Sequence, residues 1–197
     1  MKPESPSATV NAEIHSMAVA TPDTVAVTVR LRELTNACES ELRALAELLM
    51  DCVEGGASVS FMSPLSPDRA LAFWRRAVEG AANGERVLLV AEDEGGILGT
   101  VQVVLDQPEN QPHRADVSKM LVHRHARRRG IGESLMRAAE AAAKAHGKTV
   151  LVLDTATPEA ERLYERCGWT RCGVIPKYAL LPQGGFCDTT YFYRVLG

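Results

Sequence analysis

The segment from Asp116 to Met136 constrains this chain more than any other. It reads as an apolar strand through Val122, a turn crowded with Arg127, Arg128, Arg129, Gly130 and Gly132, and the start of an amphipathic helix. The first N–H groups of a helix have no internal partner, and the helix dipole favours negative charge there. Glycines let such a backbone approach a ligand closely, and arginines add charged forks. A strand that passes through glycines into a helix N-terminus is therefore a site for an anion, and a phosphate is the expected one.

Two nucleotide-binding loops of this kind fail on spelling. No G-x-x-x-x-G-K-S/T string occurs in the chain, which excludes a P-loop. A dinucleotide fingerprint that starts at Gly130 would need Gly or Ala where Leu135 stands. A third form fits: Arg or Gln, two residues, Gly, one residue, then Gly or Ala, met here by Arg127, Gly130 and Gly132. Downstream, Thr157 has the chemistry of a helix N-cap, Pro158 that of a first-turn residue, and Gly168 that of a C-terminal cap before Trp169.

On these two motifs the chain resembles the GNAT superfamily of acyl-CoA-dependent N-acetyltransferases over roughly residues 24 to 196. Ala160, Leu163, Tyr164, Gly168 and Trp169 match the family's second helix pattern, with Thr157 in place of its usual Asn. The segment 56–66 and the tail from Gly173 to Tyr193 are similar to the subgroup that contains the tabtoxin-resistance acetyltransferase. The resemblance implies a mixed α/β fold. Its central, mostly antiparallel sheet has six to seven strands, a splayed parallel pair at the fourth and fifth strands, and four helices. It implies acetyl-CoA as co-substrate, no metal, and a small amine-bearing metabolite, amino-acid-like compound or toxin as acceptor. Members of the family are often homodimers, so a homodimer is compatible with it.

Hydrophobic periodicity supports that architecture independently. Val25, Val27, Val29 and Leu31 alternate with polar residues as in a half-buried strand. Leu42, Leu45, Ala46 and Leu49 recur at helical spacing, which predicts a helix over 39–53. A second helix is expected from Ser66 and Pro67 through Leu71, Trp74 and Val78. Strands are expected at 87–91, 97–105, 114–122, 150–153, 170–176 and 187–195, with a helix from Ile131 to Gly147 between the fourth and fifth. That strand–helix–strand unit should cross over right-handed.

At 197 residues the chain suits one domain, 23–197, and residues 1–22, rich in Ser, Pro, Ala and Thr, read as a disordered or extended leader. A net charge of −3 argues against a nucleic-acid partner. No stretch is long and apolar enough for a membrane span. Five cysteines without a C-x-x-C pair fit reduced thiols in a cytoplasmic setting.

Transfer of an acetyl group from a thioester requires a deprotonated amine, a polarised carbonyl and a protonated leaving thiolate. An aliphatic amine with a pKa of about 10 is only roughly one part in a thousand free base at pH 7, so a base must assist. By resemblance, Tyr164 is the acid for the thiolate; the plainer reading is a buried aromatic anchor. Asp116 is the candidate base, against an edge carboxylate paired with a cation such as Lys119; Glu92 and Asp93 are reserves, and Ser118 a candidate to position a water. Met120, Leu121 and Val122 align with the strand backbone that binds pantetheine. Arg127, Arg128, Arg129, Gly130, Ile131, Gly132, Glu133 and Ser134 form the phosphate loop, and Thr157 stands where an Asn amide meets the cofactor. Ser60, Phe61 and Met62 are expected to shape the acceptor pocket, Trp74 to be core, and Tyr178, Asp188 and Tyr191 to be weaker pocket candidates. His123 and His125 read as loop residues, and Cys167, with no adjacent His, is a poor nucleophile. A protein or peptide acceptor, or a non-catalytic acyl-CoA-binding module, are the rival functions.

Overall fold

The structure, a computed structural model, describes residues 28–197. The expected leader and the start of the first expected strand lie outside these residues. The elements are β1 (Arg30–Glu33), α1 (Glu39–Glu54), α2 (Pro67–Ala82), β2 (Arg86–Asp93), β3 (Gly96–Val104), β4 (Arg114–Val122), α3 (Ile131–Ala145), β5 (Val150–Thr155), α4 (Pro158–Arg166), β6 (Thr170–Leu180) and β7 (Phe186–Val195). A single seven-stranded sheet runs in the order β1-β2-β3-β4-β5-β7-β6. Its neighbours are antiparallel except for β4 and β5. Expected and observed boundaries differ most at β6, which continues four residues past 176. A left-handed Lys177 (φ 53°) and a register shift carry it there.

Strand alternation divides the core between the two faces of the sheet. On one face, Leu135, Met136 and Ala139 of α3 and Tyr164 of α4 pack against Val87, Leu89, Val101, Val103, Ala115 and Leu151. On the other, Leu45 and Leu49 of α1 and Trp74 of α2 cover Leu88, Val90 and Leu121. Trp74 is fully buried, in keeping with a core role. Helix ends follow the sequence signals. Ser66 accepts from the Arg69 N–H at 3.4 Å and Thr157 from the Ala160 N–H at 3.4 Å, each followed by a proline in the first turn.

Two features of β4 place the site. Thr100 of β3 faces Leu121, but Gln102 faces Ser118, so Lys119 and Met120 oppose Val101 alone. This bulge puts Lys119 in the left-handed region (φ 51°) and moves Met120 and Val122 onto the face already occupied by Val117. Pairing with β5 runs from Arg114–Val150 to Asp116–Val152 and then stops. From Val117 onward β4 has β3 on one side and no strand partner on the other.

The end of β4 is also tied to α1. Asp51 accepts from the Arg124 N–H at 2.8 Å and from its Nε at 2.7 Å, and Arg124 reaches Glu54 at 2.8 Å. His123 Nδ1 lies 3.1 Å from Asp51, off the hydrogen-bonding direction, and its ring packs on His125 with centroids 4.1 Å apart. Burial holds the His123 imidazole below its usual range. The Asp51 carboxylate opposes that shift, while His125 and Arg124 add to it.

Two stability measurements check this description. A Cβ on Gly99 would lie 2.9 Å from the Leu121 carbonyl oxygen and within 3.2 Å of Leu135 and Ile131 side chains. Gly99→Ala should therefore lower the urea midpoint, at unchanged m, by the equivalent of about 1–3 kcal/mol. A midpoint at the wild-type value contradicts the close approach of α3. For His123, the folded form binds a proton less readily than the unfolded chain. Its contribution is thus present above about pH 6.5 and lost as pH falls through the lowered folded pKa. His123→Gln should flatten the fall in stability as pH drops below about 6.5; parallel profiles would contradict it.

Candidate active site

The break in β4–β5 pairing opens toward the carboxyl ends of both strands, where the chain leaves for α3 and α4. Open sheets bind ligands at such ends, and here two helix N-termini flank the gap. At the first, Arg128 (φ 64°) and Gly130 (φ 79°) are both left-handed, and the Ser134 N–H closes the first helical bond onto the Gly130 carbonyl at 3.1 Å. The N–H groups of Ile131, Gly132 and Glu133 precede that bond and have no intrahelical acceptor. A Cβ at Gly132 would stand 3.0 Å from Leu163 of α4, so the glycine lets the two helix starts pack together.

The three arginines of the loop divide their work. Arg127 donates its Nε to the Val122 carbonyl at 3.3 Å, and Arg129 lies 3.8 Å from Asp93. Arg128 is exposed, with no ion pair among the described residues. Glu133, an anion in a turn that favours anions, is drawn aside by Arg137 at 2.6 Å. Thr157 spends its hydroxyl on the cap of α4.

Tyr164 lies in the last turn of α4 and is 5% exposed, against Phe192 and Trp169 with ring centroids 5.8 and 6.2 Å away. Burial first, then the negative fields of Asp154 and Cys167, push its phenol far above the ordinary range, so it carries its proton throughout the physiological range. Burial likewise raises the Cys167 thiol, with Glu133 next in effect. That is the opposite of what a thiolate nucleophile needs.

Asp116 occupies the last paired position of β4. Its cation is Arg114, not Lys119: the Arg114 guanidinium donates to it and Gln107 adds a bond at 3.3 Å. Lys119 is held at the bulge, turned toward the Phe73 ring. The reserve carboxylates serve elsewhere. Glu92 bridges to Arg30 and Arg32 of the edge strand, and Asp93 accepts from the Gly95 N–H at 2.9 Å.

A cavity of about 260 Å³ lies beside the splay, lined by Ser58, Ser60, Phe61, Met62, Asp154 and Thr189 together with residues of the β6–β7 hairpin. Ser60, Phe61, Met62 and Tyr178 thus meet in one cavity, as expected, while Asp116 is absent from its lining. Tyr178 and Tyr191 share a hydroxyl hydrogen bond of 2.8 Å, which, with burial, pushes the Tyr191 phenol up to about 12. Asp188 turns away to accept from the Lys177 N–H at 2.8 Å. The segments that line it are tied together. The Ser63 N–H donates to the Pro182 carbonyl at 2.9 Å, and Gln183 donates to the Glu54 carbonyl at 3.2 Å, joining the α1–α2 segment to the β6–β7 turn. A second hollow of about 380 Å³ under the end of α2 contains no residue of β4, β5 or α4.

Sequence reasoning missed Asp154, which accepts from Thr189 Oγ1 at 2.8 Å and lines the cavity. The signal was present: a carboxylate ends an otherwise apolar strand at the edge where α/β sheets place ligands. Thr189 and Cys187 carried no such mark, because only the pairing of β7 turns them inward.

Residues 84–171 match the model of the acetyltransferase (GNAT) domain family. Among solved structures, an N-acetyltransferase from Staphylococcus aureus Mu50 is 19% identical, covering 86% of this chain and 99% of that one at a TM-score of 0.72. A ribosomal-protein-alanine N-acetyltransferase from Brucella melitensis is 24% identical over 84% of this chain and 99% of its own, TM-score 0.72. A GNAT superfamily phosphinothricin acetyltransferase from Sinorhizobium meliloti, solved in complex with AcCoA, is 22% identical over 86% and 89% of the two chains, TM-score 0.72. The chain has the GNAT fold along its described length, and residues 84–171 are similar to the acetyltransferase (GNAT) domain family.

Proposed function

We propose that the chain transfers an acetyl group from acetyl-CoA to a primary amine of a small molecule, by direct attack in a ternary complex. The observation that carries this reading is the end of β4–β5 pairing at Asp116–Val152, which opens between the glycine-turned start of α3 and the start of α4. The residues present fit the co-substrate. The free side of β4 at Met120, Leu121 and Val122 offers backbone groups to the pantetheine arm. The N–H groups from Ile131 to Glu133, with Arg128, suit the pyrophosphate, and Arg127 and Arg129 frame the loop. The Sinorhizobium meliloti relative in complex with AcCoA supports the same donor.

The thioester supplies an activated acetyl group. Asp154 faces the amine and accepts its proton, directly or through water, with Asp116 as a second carboxylate at the base of the gap. Nitrogen then bonds to the acetyl carbon and the carbon–sulfur bond breaks. Tyr164 passes its proton to the departing sulfur, and the buried phenolate recovers one from the proton lost by the amine. Burial keeps Tyr164 protonated and so available as the donor, while the same burial makes it a weaker acid toward the thiolate.

The relatives include both a protein acetyltransferase and a phosphinothricin acetyltransferase, so the choice of acceptor rests on the cavity. Its volume of about 260 Å³ favours a small molecule over a peptide tail. Ser60, Phe61, Met62 and Tyr178 then contact the acceptor.

A thiol-release assay across small amines and short peptides tests the reading. Small amines should be turned over; release from peptides alone would reverse the choice of acceptor. Tyr164→Phe should cut kcat by about 10²–10⁴-fold with little change in acetyl-CoA affinity; undiminished turnover removes the acid role. Arg128→Ala combined with Gly130→Ala should weaken acetyl-CoA binding by about tenfold or more, measured calorimetrically. Unchanged affinity would mean that the phosphates lie elsewhere.

A further inference from the structure

Among the described residues only four polar side chains are buried, and two of them, Thr189 and Thr190, are neighbours on β7 at 2% and 3% exposure. A buried hydroxyl needs a partner within the protein, because no bulk water reaches it. Strand alternation sends the two to opposite faces of the sheet. Thr189 lines the cavity, and Thr190 meets α4 on the other face.

Thr189 Oγ1 stands 2.8 Å from Asp154 Oδ2 and 3.1 Å from the Thr155 carbonyl oxygen. It has one proton for two acceptors. A charged Asp154 draws that proton, since hydrogen bonds to an ionised acceptor are the stronger ones. With the proton of an amine on Oδ2 the direction reverses. The carboxyl then donates to Thr189, and the Thr189 proton turns to Thr155. One hydroxyl thus serves both states of the carboxyl without moving a heavy atom. Asp154 itself is exposed, and Thr189 is its one hydrogen-bonded side chain among the described residues.

On the other face, Thr190 Oγ1 lies 2.6 Å from Glu161 Oε1, and Arg171 of β6 stands 3.7 Å from the second carboxylate oxygen. Glu161 precedes Tyr164 by three residues, so the two share a side of α4. Tyr164 is the one side chain that this nine-residue helix buries fully. So small a buried face leaves the rotation of the helix, and with it the direction of the phenol, dependent on polar ties such as Glu161 to Thr190.

We propose that Thr189 and Thr190 are positioning residues for the two proton transfers. Thr189 aims Asp154 at the amine, and Thr190, through Glu161, aims Tyr164 at the departing sulfur. The inference rests on the acetyl-transfer reading and deepens it. Two adjacent residues of β7, beyond the span that matches the family domain, set base and acid from opposite faces of one sheet.

The test uses the full chain with Val and with Ser at each position, alone and combined with Tyr164→Phe. Valine keeps the shape of threonine without the hydroxyl, and serine keeps the hydroxyl. Each valine variant should lower kcat about tenfold with KM for acetyl-CoA within about twofold of wild type, and each serine variant should recover most of the loss. In the Tyr164→Phe background Thr190→Val should cost nothing further, whereas Thr189→Val should cost as much as before, because it acts on the other transfer. Wild-type kcat in a valine variant overturns the role of that threonine. So does a serine variant as slow as the valine one, or a Thr190→Val loss that persists without the Tyr164 hydroxyl. NMR resonances of the Tyr164 ring and the Asp154 carboxyl, assigned through Tyr164→Phe and Asp154→Asn, read the placements without turnover. Thr189→Val should shift the Asp154 signal and Thr190→Val the Tyr164 signal. Unmoved signals in an active protein overturn the proposal alone. Shifted signals in a protein that releases thiol with no amine would keep both ties and sink the acetyl-transfer reading.

Discussion

The hydrogen bonding between β4 and β5 ends after three residue pairs, and the rest of the candidate site depends on that ending. Backbone N–H and C=O groups in a sheet interior are ordinarily paired, since leaving them bare costs about as much as a lost hydrogen bond. A strand that keeps one side free is therefore prepared for an extended ligand arm that completes the ladder. The β4 bulge prepares the opposite wall of the gap, since it alters side-chain alternation within the same strand. In the proposed reading, backbone recognition of the donor thus rests on one irregular element.

Charge is distributed across that element in an uneven way. On the donor side the arginines are partly engaged, with Arg127 on a carbonyl and Arg129 near Asp93, so Arg128 and the helix start carry the anion-binding capacity. On the acceptor side Asp116 is held by Arg114 and Gln107, whereas Asp154 has a single neutral donor, Thr189. Asp154 also lines the cavity and Asp116 does not, which favours Asp154 as the carboxylate that faces the amine in the proposed reaction.

Most of the fold was legible because its signals are local. The Ser66–Pro67 and Thr157–Pro158 starts, the apolar run of β5 and the Arg-Gly loop all stand where the sequence indicates. The site was less legible where it depends on contacts distant in sequence. Asp116 matched a family position, but its partners Arg114 and Gln107 emerge only once the loop before β4 folds back. Lys119 is near Asp116 only in sequence: plain alternation puts it on the opposite face, whereas Arg114, two residues back, shares the Asp116 face. The tie between the α1–α2 segment and the β6–β7 turn could not be foreseen at all, since Ser63–Pro182 and Glu54–Gln183 join segments separated by more than half the chain.

The tie between the α1–α2 segment and the β6–β7 turn has a consequence for how this protein diverges. The residues that match the family domain, 84–171, contain the free side of β4, the Arg-Gly loop, Asp154 and Tyr164. The tie and much of the cavity lining, from Ser58 to Met62 and from Tyr178 to Thr189, lie outside that span on both sides. Mutations in those flanking segments can reshape the cavity without disturbing the strand, the loop or the tyrosine. On the proposed function, selection on what is modified is thereby uncoupled from selection on how it is modified.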